Sequence, residues 1–96
     1  MKNTMNTKTK TQKLPKWFDG LHYPEGETVV NPFSNEEFYL NRTELSMYDF
    51  IKGAEYMIEM KGGPFNEESS KIQREMIKAL DWFRKNNAKA YMVLLD

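Results

Sequence analysis

The only histidine of the chain, His22, lies among side chains that bind metal ions in other proteins. Its neighbours are Asp19, Tyr23, Glu25 and Glu27, and carboxylates combined with an imidazole form mixed metal sites. Their spacing matches no helical two-ligand pattern, and no second histidine is present to complete a facial triad. Loops gather such residues by chance. We therefore predict that His22 is a surface or packing residue, and we assign the chain no metal and no cofactor.

Other catalytic patterns are also incomplete. The serines occupy positions at turns or helix starts, where caps are expected: Ser34, Ser46, Ser69 and Ser70. None lies in the Gly-x-Ser-x-Gly turn of the hydrolases, and residues 62–64 (Gly-Gly-Pro) lack the lysine of a phosphate-binding loop. Two glutamate pairs recur along predicted helices, Glu55 with Glu59 and Glu68 with Glu75, and a solvated helix face explains them. We predict that the chain is not an enzyme.

Length and composition support that prediction. The chain has 96 residues, 14 basic and 14 acidic, is 40% hydrophobic and has no cysteine, which describes one small domain. Such a domain buries about 60 to 65% of its unfolded surface and has little room for an enclosed active site. Without cysteine nothing demands an oxidising compartment. The N-terminus is polar and the longest apolar run, 91–95, is short, so we predict a cytoplasmic protein with no membrane partner.

Charge is distributed unevenly along the chain. Residues 1–18 contain no acid and five lysines: Lys2, Lys8, Lys10, Lys13 and Lys16. Residues 19–96 contain 9 basic and 14 acidic residues, a net charge of −5. The Lys/Thr/Asn-rich start predicts a flexible arm over 1–16, followed by a single domain over 17–96. Lysines neutralise phosphates and Trp17 would stack on an exposed base, so accessory nucleic-acid binding is one candidate function.

Aromatic and methionine side chains exceed what one small core needs. The chain has 7 Met, 2 Trp, 5 Tyr and 6 Phe, and Trp, Tyr and Met are enriched at protein interfaces. Four of them fall on the flanks of the predicted helices: Tyr48, Tyr56, Met60 and Trp82. We predict that they bind a protein partner or a second copy of the chain. The alternative is that the other elements cover both sides of the helices and bury them.

The elements that position these residues follow from local patterns. Residues 28–30 and 38–40 are β-prone runs separated by a turn with Asn31 and Pro32 suited to its first two positions, which predicts a hairpin. An apolar stripe at helical spacing predicts a helix over 43–61, with these members: Leu45, Met47, Phe50, Ile51, Ala54, Met57 and Ile58. Either Asn41 or Thr43 caps it, and residues 62–64 end it.

A second helix is predicted over 68–86, because an apolar stripe recurs at Ile72, Met76, Ala79, Leu80 and Phe83. Asn66, Ser69 and Ser70 are its candidate caps, and Ser70 with Gln73 matches a capping box. The last segment, 88–95, is too short for periodicity to separate helix from strand. We favour a short helix packed across the helical pair.

Gly53 interrupts an otherwise favourable helix, where glycine costs about 1 kcal/mol relative to alanine. With Ala54 it makes a small flat patch, so we expect another group to approach closely. An aromatic ring of the same chain, such as Trp17 or Phe83, is the predicted neighbour, and a partner helix is the alternative. Two short motifs, Asn-Pro-Phe at 31–33 and the formal glycosylation acceptor at 41–43, are explained by a turn and a helix cap.

Four stretches resemble small uncharacterised proteins of tailed phages. They are NPFSNEEFYL (31–40), LSMYDFIKGAE (45–55), ALDWFRK (79–85) and YMVLLD (91–96). The resemblance covers roughly residues 17–96 and leaves out the lysine-rich arm. It implies a phage origin and the host cytoplasm, and it transfers no catalytic or binding residue.

These patterns together predict a mainly α (α+β) domain. Two antiparallel helices and a short C-terminal helix are expected to pack with a small N-terminal β-hairpin, preceded by a disordered basic arm. The leading functional prediction is a non-catalytic protein that works by protein–protein interaction. The alternative is an accessory nucleic-acid-binding protein that uses the arm.

Overall fold

The computed structural model describes residues 12–64 and 66–95. In chain order its elements are β1 (Glu27–Val30), β2 (Glu37–Leu40), α1 (Arg42–Met60), a 3₁₀ turn (Glu67–Ser69), α2 (Ser70–Asn86) and α3 (Ala88–Leu94). The fold is mainly α with a small β part, as predicted, and the short C-terminal helix is confirmed. Within the described part of the chain, no helix has the length and apolar character needed to cross a bilayer.

β1 and β2 form the predicted antiparallel hairpin, with Glu27 opposite Leu40. Asn31 shapes the connection, because its Oδ1 accepts a hydrogen bond from the Phe33 N–H at 2.8 Å. Its Nδ2 donates to the carbonyl oxygen of Val93 at 2.8 Å. A two-stranded hairpin is marginal alone, so this bond to α3 helps to hold it on the helices.

α1 begins at a capping box. The Asn41 side chain accepts from the N–H of Glu44 at 2.8 Å, and the Glu44 carboxylate accepts from the N–H of Asn41 at 3.0 Å. Of the two predicted caps, Asn41 is therefore the one used, rather than Thr43. Both ends of the helix lie one residue earlier than predicted.

The Glu44 carboxylate also joins distant parts of the chain. It is almost fully buried, and its Oε2 accepts from Gln12 Nε2 at 2.8 Å and from Asn87 Nδ2 at 2.9 Å. Asn87 in turn caps α3 by accepting from the N–H of Ala90 at 3.1 Å. One side chain thus connects the N-terminal residues, the start of α1 and the corner between α2 and α3.

The turn between the long helices requires glycine at two positions. Gly62 and Gly63 have φ of +100° and +99°, a left-handed conformation that side chains with a Cβ disfavour. The N–H of Gly63 donates to the Ile58 carbonyl at 2.9 Å, which closes the last turn of α1. The prediction that residues 62–64 end this helix is therefore confirmed.

The start of the second helix differs from the prediction. The capping box of Ser70 with Gln73 is wrong, because Ser70 is already the first residue of α2. Asn66 caps the preceding 3₁₀ turn by accepting from the Glu68 N–H at 2.8 Å. Gln73 Nε2 donates to the hydroxyl of buried Ser69 at 2.8 Å. The tighter turn places Ser69 inside the fold, which local sequence does not reveal.

The core lies between α1 and α2 and extends under β2 and α3. Its buried apolar members are Phe18, Leu40, Leu45, Met47, Ile51, Ala79, Phe83, Ala90 and Leu94. Burial of each large side chain contributes about 1.5–3 kcal/mol. The central residues of both predicted apolar stripes are therefore buried where α1 and α2 meet.

Residues 12–26, the N-terminal segment, cross the α1–α2 pair before the hairpin. Phe18 is buried with its ring centroid 5.4 Å from that of Phe50. Trp82 Nε1 donates to the Lys13 carbonyl at 3.0 Å, and Leu14 packs against the core. Of the arm predicted over 1–16, residues 1–11 lie outside the described residues. Gln12, Lys13 and Leu14 contact the helices and the core, so this part of the predicted arm packs on the domain.

Candidate interaction surface

The residues predicted to form an interface fall into two groups. Tyr56 and Met60 lie one turn apart on α1 and are 63% and 69% exposed. Tyr48 is partly buried and packs against the core. Trp82 is also partly buried and is hydrogen-bonded to the Lys13 carbonyl. The fold presents Tyr56 and Met60 to solvent and uses Tyr48 and Trp82 in packing.

Gly53, Tyr56, Met57 and Met60 form one exposed stripe along α1, which we call the outer face of α1. Their spacing of i, i+3, i+4 and i+7 places all four on the same side of the helix. Met57 is 47% exposed, although the sequence pattern assigned it to the core stripe. The sequence predicted only part of the outer face, Tyr56 and Met60, because two apolar stripes overlap on α1. The signal in the sequence was the helical spacing of Tyr56 and Met60, which lie three and seven residues after Gly53.

Gly53 differs from its predicted environment. A Cβ built at this position would meet no atom within 4 Å outside its own helix turn. The expected approach of Trp17 or Phe83 is therefore wrong, because Trp17 instead packs on Phe50, at 5.8 Å between ring centroids, and Phe83 lies in the core. The glycine weakens α1 without any compensating contact among the described residues.

A groove of about 350 Å³ runs beside the outer face, between α1, α2 and the N-terminal segment. Its apolar lining includes Leu21, Phe50, Gly53, Met57 and Ile72. Three carboxylates also line it: Asp19, Asp49 and Glu75. The groove extends the apolar surface from the outer face of α1 toward α2.

Charged residues border the opposite edge of the outer face. Lys52 Nζ lies 3.0 Å from Glu55 Oε1, and both side chains are about two-fifths exposed. Glu59, one turn beyond Glu55, is exposed. This edge therefore carries a lysine near the start of the stripe and a glutamate near its end.

The Tyr23 hydroxyl interacts with Asp49, one of the three carboxylates that line the groove. Partial burial raises the pKa of Tyr23, and so does its hydrogen bond to the Asp49 carboxylate, with a smaller electrostatic contribution from Glu27. Each cause disfavours the phenolate. The backbone N–H of Tyr23 donates to Ser46 Oγ at 2.9 Å. These bonds fix the N-terminal segment on α1.

The residues of the nucleic-acid alternative do not form one described surface. Outside the described residues are Lys2, Lys8 and Lys10. Lys13 and Lys16 are exposed, whereas Trp17 is partly buried against Phe50. A cavity of about 480 Å³ at the start of α1 brings Lys13 together with His22 and Arg42. The cavity therefore has two basic side chains in its lining, Lys13 and Arg42.

Two of the remaining residues considered for catalysis or metal binding, His22 and Ser46, make packing contacts or hydrogen bonds within the fold. The His22 ring packs edge-on against Phe18, with centroids 5.3 Å apart. Within residues 12–64 and 66–95, no three His, Asp or Glu side chains are grouped so as to hold a metal ion. Ser46 Oγ donates to the Arg42 carbonyl at 2.8 Å. Phe33 projects from the hairpin turn and is 95% exposed.

Comparison of the chain with family models, curated proteins and solved structures gives no match.

Proposed function

We propose that this chain is a non-catalytic, phage-type protein that acts in the host cytoplasm by binding a protein, either a partner or itself. The binding surface is the outer face of α1. The observation that carries the proposal is the exposure of Tyr56, Met57 and Met60 on one side of a helix whose other side is buried.

The chemistry of the outer face suits a protein partner. Tyrosine offers a large apolar ring with a polar hydroxyl, and methionine adapts its shape to the surface that it meets. Anchors of this kind contribute about 1 to 2 kcal/mol or more each when fully desolvated in a complex. The adjoining groove adds apolar area, and its carboxylates form a polar rim.

Substitutions at the exposed residues Tyr56 and Met60 test binding, whereas a substitution at the partly buried Trp82 tests folding. Replacing Tyr56 or Met60 removes little intrachain contact, because both side chains are mostly exposed. Replacing Trp82 removes ring packing and the hydrogen bond to the Lys13 carbonyl. We therefore expect Tyr56→Ser and Met60→Ser to weaken binding with unchanged stability, and Trp82→Ala to lower stability.

Site-specific photocrosslinking tests the proposal. A benzophenone amino acid replaces Tyr56 in the full chain, and the matched control replaces Met92, a similarly exposed residue on α3. After irradiation in a nuclease-treated bacterial lysate, position 56 should give a discrete protein adduct that position 92 does not give. Equal labelling from both positions, or no adduct from position 56, would overturn the proposal.

A second candidate function is accessory nucleic-acid binding. The cavity lined by Lys13, His22 and Arg42 favours it, because it places the cationic side chains of Lys13 and Arg42 next to each other at the start of the described chain. Such binding should weaken steeply between about 50 and 200 mM salt. Fluorescence anisotropy with single-stranded DNA measures it, with Lys13→Gln and Arg42→Gln as test variants and Lys89→Gln as the control. If neither Lys13→Gln nor Arg42→Gln weakens binding more than Lys89→Gln does, this cavity is not the nucleic-acid site.

A further inference from the structure

We infer that the partner of the outer face is a second copy of this chain, packed so that the two α1 helices run antiparallel across a twofold axis. This inference rests on the proposed function and names the partner for the same surface. It follows from the spacing of apolar and charged residues on α1.

The apolar stripe has a small residue at one end and a large one at the other, so two copies can pack large against small. Gly53 at one end and Met60 at the other are seven residues apart, and both are exposed on the same face. In an antiparallel pair, the first half of one helix faces the second half of its partner. Met60 of one copy then lies against Gly53 of the other, while Tyr56 and Met57 meet near the twofold axis.

The missing side chain at Gly53 fits this arrangement. Glycine within a helix costs about 0.5–1 kcal/mol relative to alanine, and no atom outside its own helix turn lies within 4 Å of a Cβ built at this position. A second helix would lie directly on the exposed backbone there. Intermolecular packing thus accounts for a residue that intramolecular packing does not explain.

The charges at the edge of the stripe select the same orientation. Lys52 and Glu59 precede Gly53 and Met60 by one residue each, so they lie on the same edge, seven residues apart. An antiparallel twofold pair places each Lys52 near the Glu59 of the other copy, which gives two identical ion pairs. A parallel pair would keep Lys52 of one copy and Glu59 of the other about 10 Å apart along the helix axis, so neither ion pair would form. The ammonium of Lys52 has three donors, so its contact with Glu55 leaves donors for a second carboxylate.

Sedimentation velocity of the purified full chain tests the inference with charge-reversal variants. Lys52→Glu and Glu59→Lys should each weaken self-association about tenfold, because two exposed ion pairs change from attraction to repulsion. Mixing these two variants should restore association, since the mixed dimer has opposite charges at both contacts. Lys89→Glu, an equal charge change on α3, should leave self-association unchanged.

Gly53→Gln gives an independent test that does not weaken the fold. Glutamine is a better helix former than glycine, and space is open at this position. The variant should unfold at a higher temperature when dilute and should lose self-association. A wild-type chain that stays monomeric into the hundreds of micromolar, or a mixture no better associated than its components, would overturn the inference.

The same data separate this inference from the proposed function. If the chain is monomeric and position 56 crosslinks to a different protein, the partner is not a second copy. The inference is then overturned, and the proposed function stays in place. A dimer unaffected by the changes at Lys52, Gly53 and Glu59 would overturn the inference, since it would use another surface. Absence of a specific crosslink from position 56 would overturn the proposed function itself.

Discussion

Replacing Glu44 with alanine removes the acceptor that joins three parts of the fold. Its carboxylate accepts hydrogen bonds from the Asn41 N–H at 3.0 Å, from Gln12 Nε2 at 2.8 Å and from Asn87 Nδ2 at 2.9 Å. Hydrogen bonds to charged groups contribute about 1.5–3 kcal/mol each, and their losses are not additive. We expect Glu44→Ala to lower the free energy of unfolding by about 3–4 kcal/mol. A domain of this size has about 5–15 kcal/mol in total.

Urea denaturation followed by tryptophan fluorescence measures this loss. Trp82 reports on the N-terminal segment through its bond to the Lys13 carbonyl. Glu44→Gln keeps one acceptor oxygen and should lose about 1–2 kcal/mol, and Glu25→Ala, at an exposed site, is the control. If Glu44→Ala costs no more than Glu25→Ala, the carboxylate does not hold these segments together.

Three further outcomes follow from the structure. Gly53→Ala should raise the free energy of unfolding of the dilute chain by about 0.5–1 kcal/mol, measured by thermal denaturation, and a lower melting temperature would show a hidden clash. Gly62→Ala should lower the free energy of unfolding by about 1–2 kcal/mol, because φ is +100° and the new Cβ would lie 2.8 Å from Asn66 Nδ2. An unchanged urea denaturation curve would contradict this expectation. Asp49→Asn should lower the raised pKa of Tyr23 toward its usual range without restoring it, because the effect of burial remains. Ultraviolet difference titration measures that pKa, and an unchanged titration would refute the role of Asp49. The stabilisation linked to Tyr23 is complete below about pH 10 and is lost as the pH rises through the raised pKa.

Local patterns in the sequence were sufficient for most of the secondary structure. The strands, the two long helices and the Asn41 cap depend on residues within a few positions of one another, so alternation, helical periodicity and capping preferences predict them. The turn at residues 62–64 was predictable for the same reason, since glycine tolerates positive φ. The short α3 could not be separated from a strand by periodicity and depends on its cap, Asn87.

Long-range packing explains what the sequence did not predict. Gln12 and Glu44 are 32 positions apart, so nothing local indicates their hydrogen bond or the packing of Leu14 against the core. Trp82 was predicted as an anchor, but its side chain packs against the N-terminal segment. The outer face of α1 was recognised only in part, through Tyr56 and Met60. Which side of an apolar helix stays exposed depends on where the other elements pack.

The most direct test of the outer face is a concentration series of amide ¹H–¹⁵N correlation spectra of the full chain. If copies associate through this surface, the largest concentration-dependent shifts will fall at Gly53, Tyr56, Met57 and Met60, while Met92 on α3 will not shift. Shifts centred on Phe33 at the hairpin turn, or on α3, would contradict the account and place the interaction elsewhere.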